Sequence, residues 1–325
     1  MFSKYKKKIL LSVTFGAIVF LAFSIYADFG NLLISFSKFN WYWLPLILSL
    51  SLGNYVVRFF KWQYYIKIIN IKINPYKSFL IFFSSFIMSV TPGKMGEVLK
   101  SFLLKEETGT PVSVSAPIIL AERITDFLSI VILCLDGAVV FDYGRGIVVL
   151  TGVFFLLLTV VLSSKKLSLK VISMFERIKF TSRHAEKFYT AYESTYNLIR
   201  LKPLLIVVGM SLVAWFFECL GFYIVLRVFT SVSNVEVTVL TATFIYTFST
   251  LIGAIAMLPG GLGATEASIT GLLIFLKIPK DISVAATIII RVATLWFAVL
   301  VGVIAVQVYG RYSKMNNSDP DGESV

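Results

Sequence analysis

Histidine occurs once in these 325 residues and cysteine twice. His184 sits in a polar stretch, so a histidine-based metal site is not expected. Cys134 and Cys219 fall inside apolar runs. There a thiol behaves as a small hydrophobe, and neither a disulfide nor a metal pair is expected. Charge is also scarce. Charged residues make up 15% of the chain and hydrophobic residues 57%, and the mean hydropathy is +0.84. A soluble domain needs a charged, solvated shell that this chain cannot supply. No Gly-x-x-x-x-Gly-Lys-Ser/Thr phosphate loop occurs, so the chain is not itself an ATPase. With its one histidine in a polar loop, it also lacks a nucleophile–base constellation for enzymatic work on lipid phosphates. The expectation is a non-enzyme without cofactor or metal.

What the chain does have is long apolar runs. Ile9–Tyr26, Trp41–Arg58, Val114–Phe141, Ile147–Leu162, Pro203–Arg227 and Ser283–Tyr309 are each long enough to span a bilayer. Ile9–Tyr26 follows Lys4, Lys6, Lys7 and Lys8, and its apolar core is longer than that of a signal peptide, which makes it a retained anchor. Two further apolar segments are broken. Phe79–Thr91 ends at Pro92-Gly93 and resumes over Glu97–Leu104. Val237–Leu258 ends at Pro259-Gly260-Gly261 and resumes over Ala264–Leu276. Each reads as a re-entrant hairpin, tolerated only where protein or a cavity shields the backbone. The fold expected is an all-α polytopic membrane protein with six full spans and two re-entrant hairpins.

Basic residues set the orientation. With the N-terminus inside, segments 1–8, 59–77, 94–105, 165–202 and 309–314 hold 22 of the 30 Lys/Arg, and the outside segments hold four. Both termini are therefore expected in the cytoplasm of a cell-membrane protein. The net charge of +12 is accounted for without nucleic acid as a partner.

The four remaining arginines are the informative ones. Arg58, Pro92-Gly93-Lys94-Met95-Gly96-Glu97 and Arg123 recur as Arg227, Pro259-Gly260-Gly261-Leu262-Gly263 with Glu266, and Arg291. The arginine-to-proline spacings are 34 and 32, and the proline-to-arginine spacings are 31 and 32. The orientation makes the two halves, about 41–141 and 203–309, an inverted-topology repeat. Gly/Pro-broken segments at matched positions are a pointer to a transporter-like site. Residues 147–202 link the halves. Within them Phe188, Tyr192, Tyr196 and Ile199 share a helical face among many basic residues. That face suits either the anionic leaflet surface or packing on the bundle. Residues 1–312 form one transmembrane domain in this reading, and 313–325 a disordered tail.

Arg123 and Arg291 lie nine and eight residues into their spans, roughly 12–14 Å deep at the usual helical rise. A charge at that depth needs a polar interior and a partner. Asp126, three residues on from Arg123, is the better intrahelical partner, since Glu122 points elsewhere. Arg291 needs a partner from another helix or an anionic ligand. Gly93, Gly96, Gly260, Gly261 and Gly263 let the backbone open, so each return arm starts with free N–H groups that favour a phosphate. Two roles stay open for the arginines. Either they contact a lipid head group, with Arg58 beside them, or they lock the hairpins through Glu97, Asp126 and Glu266. Glu97 and Glu266 also suit helix capping. Glu97, Glu122, Asp126, Glu218 and Glu266 are the proton-carrier or ion-pair candidates.

The stretches Arg58-Phe59-Phe60-Lys61-Trp62, Ser89 to Glu97, Glu122-Arg123-Ile124-Thr125-Asp126 and Leu258 to Glu266 resemble the flippase-like family typified by the transmembrane domain of lysylphosphatidylglycerol synthases. The resemblance runs from about residue 8 to 310. It implies translocation of a polar-headed lipid, such as a phospholipid or a polyprenyl-phosphate-linked lipid. The sequence ends at Val325, so the soluble synthase activity is not expected here. The alternatives are a non-transporting membrane partner of a lipid or glycan biosynthetic enzyme and, more remotely, a membrane-embedded lipid-modifying enzyme. Expected partners are anionic or phosphate-bearing membrane lipids, with a homo-oligomer or a biosynthetic enzyme as further partners.

Overall fold

The computed structural model describes residues 3–91, 97–141, 144–165, 185–230 and 237–317. Its described residues form helices and no strand. In chain order they are α1 (Ser3–Ala27), α2 (Phe29–Lys38), α3 (Leu44–Ile68), α4 (Pro75–Ser84), α5 (Leu99–Thr108), α6 (Val112–Phe141), α7 (Arg145–Ser163), α8 (Ala185–Leu198), α9 (Leu201–Thr230), α10 (Val239–Ile255), α11 (Ala264–Phe275), α12 (Lys280–Arg291) and α13 (Phe297–Asn317). Short 3-10 turns cover Trp41–Trp43, Ser85–Met88 and Pro259–Gly261, and a π-helical stretch covers Val292–Trp296.

Among the described residues, four segments are long and apolar enough to cross a membrane: Trp41–Ile68, Arg145–Ser163, Leu201–Phe229 and Lys280–Tyr312. A fifth arises if Gly16–Ala27 and Phe29–Lys38 count as one bent span. Those two helices meet at 95°, and the bend comes just after the first apolar run, Ile9–Tyr26, which lies within α1. The bend falls at Asp28, which has φ 68° and caps α2 by accepting from the Gly30 N–H. α6 is 30 residues long, and its Glu122, Thr125, Asp126 and Ser129 are buried.

Helix ends follow local chemistry. Asn74 caps α4, with Pro75 in its first turn. Thr238 caps α10 by accepting from the Thr241 N–H. Gly109 ends α5 in the left-handed conformation that glycine adopts without strain.

The packing pairs elements from the two halves of the chain. α3 packs along α9, α4 along α13, and α10 along α6. α5 rests on α6 and α11 on α12. Two large apolar clusters result. One gathers around α9, α10 and α12, with Phe222 and Ile290 at its centre. The other gathers around α3, α4 and α13, with Trp62 and Ile81. α13 crosses the turn after α4 so closely that a Cβ on Gly302 would lie 2.2 Å from the Ile87 backbone nitrogen.

Three expectations change here. α3 continues ten residues past Arg58 to Ile68, so Arg58 lies within the helix and not at its inner end. Ser313–Asn317 belong to α13, so the tail expected to be disordered begins helical. α8 packs along α6 and buries Ser194, Thr195 and Leu198, which resolves its apolar face toward the bundle. Most of the basic residues expected to flank it, and the first hairpin's turn at Pro92–Gly96, lie outside the described residues.

Candidate functional site

Charged residues that an apolar bundle would ordinarily exclude converge on one interior cavity of about 330 Å³. Its walls come from both halves of the chain. α3 contributes Tyr55 and Arg58, and α6 contributes Arg123, Asp126 and Phe127. α9 contributes Trp215 and Glu218, and α10 contributes Tyr246 and Thr250. Glu97, Gly260, Gly261 and Arg291 also line it.

The two repeated arginines occupy equivalent places. Each lies eleven residues after the first residue of its helix, Val112 for Arg123 and Lys280 for Arg291. Each meets the glutamate that follows the broken segment of its own half. Arg123 Nη2 donates to both carboxylate oxygens of Glu97, at 3.1 and 2.9 Å. Arg291 Nε donates to Glu266 Oε1 at 2.6 Å, and its Nη2 donates to the Gly260 carbonyl at 2.7 Å.

The second hairpin explains its own glycines. Gly260, Gly261 and Gly263 all have positive φ, a region closed to most side chains. A Cβ on Gly253 would stand 1.9 Å from Thr265 Oγ1, so α10 and α11 approach closely only because that side chain is missing. Three N–H groups of this turn are already used. Gly261 donates to the Leu258 carbonyl, Leu262 to the Pro259 carbonyl and Gly263 to Glu266 Oε2. Glu266 therefore caps the return arm and pairs with Arg291 at once. At the turn where free N–H groups were expected to favour a phosphate, the protein's own carboxylate takes the Gly263 N–H. Gly260 and Gly261 line the cavity, while Gly263 does not appear on its wall. Gly93 and Gly96 lie outside the described residues.

A π-helical stretch follows Arg291 directly. Such stretches break the regular ladder and often accompany functional sites. Here the Thr294 carbonyl accepts from the Tyr55 hydroxyl at 2.7 Å, which ties α3 to the second half.

The first half holds a larger ionic cluster. Asp126 Oδ1 accepts from Lys61 Nζ at 2.7 Å. Asp126 Oδ2 stands 3.4 Å from both Arg58 Nη2 and Arg123 Nη2. Lys61 also donates to Ser211 Oγ on α9 at 2.7 Å. Asp126 is thus shared by three cations and is not chiefly the partner of Arg123. Glu122 is buried away from the cavity wall and pairs with Lys100 at 2.6 Å, beside the rings of Trp62 and Phe82. Glu218 accepts from the Tyr246 hydroxyl at 2.7 Å.

Lys61 and Lys100 escape a reading by charge alone. Both count among the inside basic residues, yet both are 2% exposed. Their spacing from a carboxylate in sequence gives no hint, because Asp126 and Glu122 reach them from another helix. Arg227 departs in the opposite direction. It is exposed near the end of α9 and donates to the Tyr223 hydroxyl, so it does not share the site of its counterpart Arg58.

Residues 9–302 match the family model described as the lysylphosphatidylglycerol synthase TM region. The chain belongs to that family. A UPF0104 membrane protein of Methanothermobacter thermautotrophicus is 24% identical over 335 residues, covering 94% of this chain and 94% of the relative. A UPF0104 membrane protein of Methanocaldococcus jannaschii is 24% identical over 230 residues, covering 67% of this chain and 92% of the relative. The family match encloses every cavity residue named above, from Tyr55 to Thr294. Membership, apolar composition and helix lengths agree on a multi-pass membrane protein with a lipid-related role.

Proposed function

We propose that this chain is a membrane lipid transporter that moves a polar-headed lipid across the bilayer. It is read as a carrier and not an enzyme, resident in the cell membrane with both termini cytoplasmic. One observation carries the reading: a partly open cavity lined by three arginines and three acidic residues among otherwise apolar helices. Burying such groups is costly unless they are paired or serve a polar ligand. Pairing accounts for part of the arrangement. Arg123 Nε, however, is buried with no acceptor among the described residues, and a phosphate oxygen would satisfy it.

Six spans with two re-entrant hairpins, related as an inverted repeat over about 41–141 and 203–309, give this cavity its mechanism. The pairings of α4 with α13 and of α10 with α6 are the kind of exchange that a two-fold axis in the membrane plane produces, and α3 against α9 is its self-pair. The Arg123–Glu97 and Arg291–Glu266 pairs then act as locks on the two hairpins. A head group that competes for one arginine loosens that hairpin and exposes the cavity to one side.

The test is scrambling of labelled phospholipid by the purified chain in vesicles. Arg123→Gln is expected to slow scrambling about tenfold, the effect of losing a charged hydrogen bond. Arg123→Lys should rescue only part, because an ammonium lacks the planar fork that grips phosphate at two points. If the Arg123→Gln/Glu97→Gln double variant regains wild-type scrambling, the pair is a lock alone and the ligand role is wrong.

A further inference from the structure

Charge is balanced on the cavity wall, three arginines to three carboxylates, so what separates one arginine from another is hydrogen bonding. Arg291 gives Nε to Glu266 and Nη2 to the Gly260 carbonyl, at 2.6 and 2.7 Å. Arg123 gives Nη2 to both oxygens of Glu97. Arg58 differs. Among the described residues its one hydrogen bond is a 3.4 Å contact from Nη2 to Asp126 Oδ2. A guanidinium carries several N–H donors in a planar fork. No Arg58 nitrogen is sealed away without a partner, so the donors that Asp126 does not take face the cavity that Arg58 lines.

The long contact has a cause. An aspartate free to turn toward a guanidinium closes to bonds of about 2.7–2.9 Å. Asp126 is not free. Its Oδ1 accepts from Lys61 Nζ at 2.7 Å and from Ser211 Oγ at 3.2 Å. Lys61 also donates to Ser211 at 2.7 Å, so α3, α6 and α9 close a ring of hydrogen bonds. That ring leaves Oδ2 at 3.4 Å from both Arg58 and Arg123. Lys61 lies three residues after Arg58 on α3 but sits behind the cavity wall, 2% exposed. Burying an ammonium is costly, and an apolar side chain of similar volume fills such a space without that cost. A mere filler needs no charge.

We propose that Lys61 is a positioning residue: with Ser211 it draws Asp126 back and so keeps the Arg58 guanidinium available to the phosphate of a lipid head group. This rests on the transport reading and deepens it, by naming the arginine that receives the phosphate and the residue that keeps it available.

The experiment reads Arg58 itself. The full chain in detergent is treated with phenylglyoxal, which adds to guanidinium groups not held in ion pairs, and peptide mass spectrometry follows modification of Arg58. Lys61→Met should slow that modification about tenfold, because Asp126 then closes on Arg58 with a charged hydrogen bond. Lys61→Met/Asp126→Asn should restore the wild-type rate. A merely structural lysine predicts the opposite sign, since its loss loosens the bundle and Arg58 reacts faster. Ser211→Ala, a smaller change to the same ring, should also slow the reaction and keeps the test open if Lys61→Met does not insert. Arg58 modification that is unchanged or faster in these variants overturns the proposal. In the wild-type chain, short-chain phosphatidylglycerol should protect Arg58 where the same concentration of inorganic phosphate does not. Equal protection by both overturns the lipid as the source of the phosphate, and protection by neither overturns the phosphate contact. Scrambling of acyl-labelled phosphatidylglycerol in vesicles, read alongside, should fall in Lys61→Met and recover in the double variant. If no lipid moves beyond protein-free vesicles while Arg58 reactivity follows the expected order, the transport reading fails and the positioning role of Lys61 stands.

Discussion

At the scale of single residues, the two matched ion pairs differ in how deeply they are sealed. Glu266 is 1% exposed and the Arg291 side chain 9%, while Glu97 and Arg123 are 11% and 20% exposed. Removing one partner of a fully buried pair leaves an uncompensated charge and costs about 3–5 kcal/mol. Arg291→Gln should therefore lower the thermal midpoint in detergent sharply, and Arg123→Gln less so. Adding Glu266→Gln should restore most of the loss, because the stranded charge is gone and the amide oxygen can still cap Gly263. A double variant as unstable as Arg291→Gln would mean that the Gly260 carbonyl contact, not the ion pair, holds the second hairpin.

At the scale of elements, close backbone approach fixes where the hairpins sit. α10 and α11 meet across Gly253 and Thr265, and α13 meets the turn after α4 across Gly302. The two contacts differ in what blocks a larger side chain. At Gly253 the obstacle nearest to an added Cβ is the Thr265 hydroxyl, while at Gly302 it is backbone. Gly253→Ala should destabilise the protein by about 1–3 kcal/mol, the usual cost of overpacking, and Thr265→Ala should relieve part of it. Gly302→Ala should cost at least as much and find no single side-chain suppressor. Unfolding midpoints of the three variants decide this. A harmless Gly302→Ala would mean that α13 and the Ser85–Met88 turn can part freely.

At the scale of the whole molecule, the residues assigned to each side of the membrane come together in space. Ser35 of α2 donates to Asp281 of α12 at 2.6 Å, near Lys38 and Lys280. At the other end Lys77 pairs with Glu107, and Tyr76 meets Tyr312 edge to face with ring centres 5.4 Å apart. The basic-residue count then predicts which end is outside. Cysteines at Lys38 and Lys280 should react with an impermeant maleimide on intact cells, and cysteines at Lys72 and Lys105 should react only after lysis. All four are exposed. Labelling of the second pair on intact cells would invert the orientation.

The sequence by itself determined the solvent and the class of fold, because 57% hydrophobic residues cannot be housed in water. It also narrowed the partners of the two deep arginines, to Glu97 or Asp126 for Arg123 and to Glu266 or an anionic ligand for Arg291, since a charge deep in an apolar helix must find an opposite charge; packing chose Glu97 and Glu266. Only the tertiary structure decided the rest. Lys61 and Lys100 read as ordinary basic flank residues until another helix brings Asp126 and Glu122 against them. Arg58 and Arg227 look equivalent in the repeat, yet one lines the cavity and the other is exposed and donates to the Tyr223 hydroxyl. The bend at Asp28 was hidden as well, because hydropathy records how apolar a helix is and not which way it runs. Periodicity and spacing are properties of one segment at a time. Which charges share a cavity depends on contacts between helices far apart in the chain, and those are set by packing.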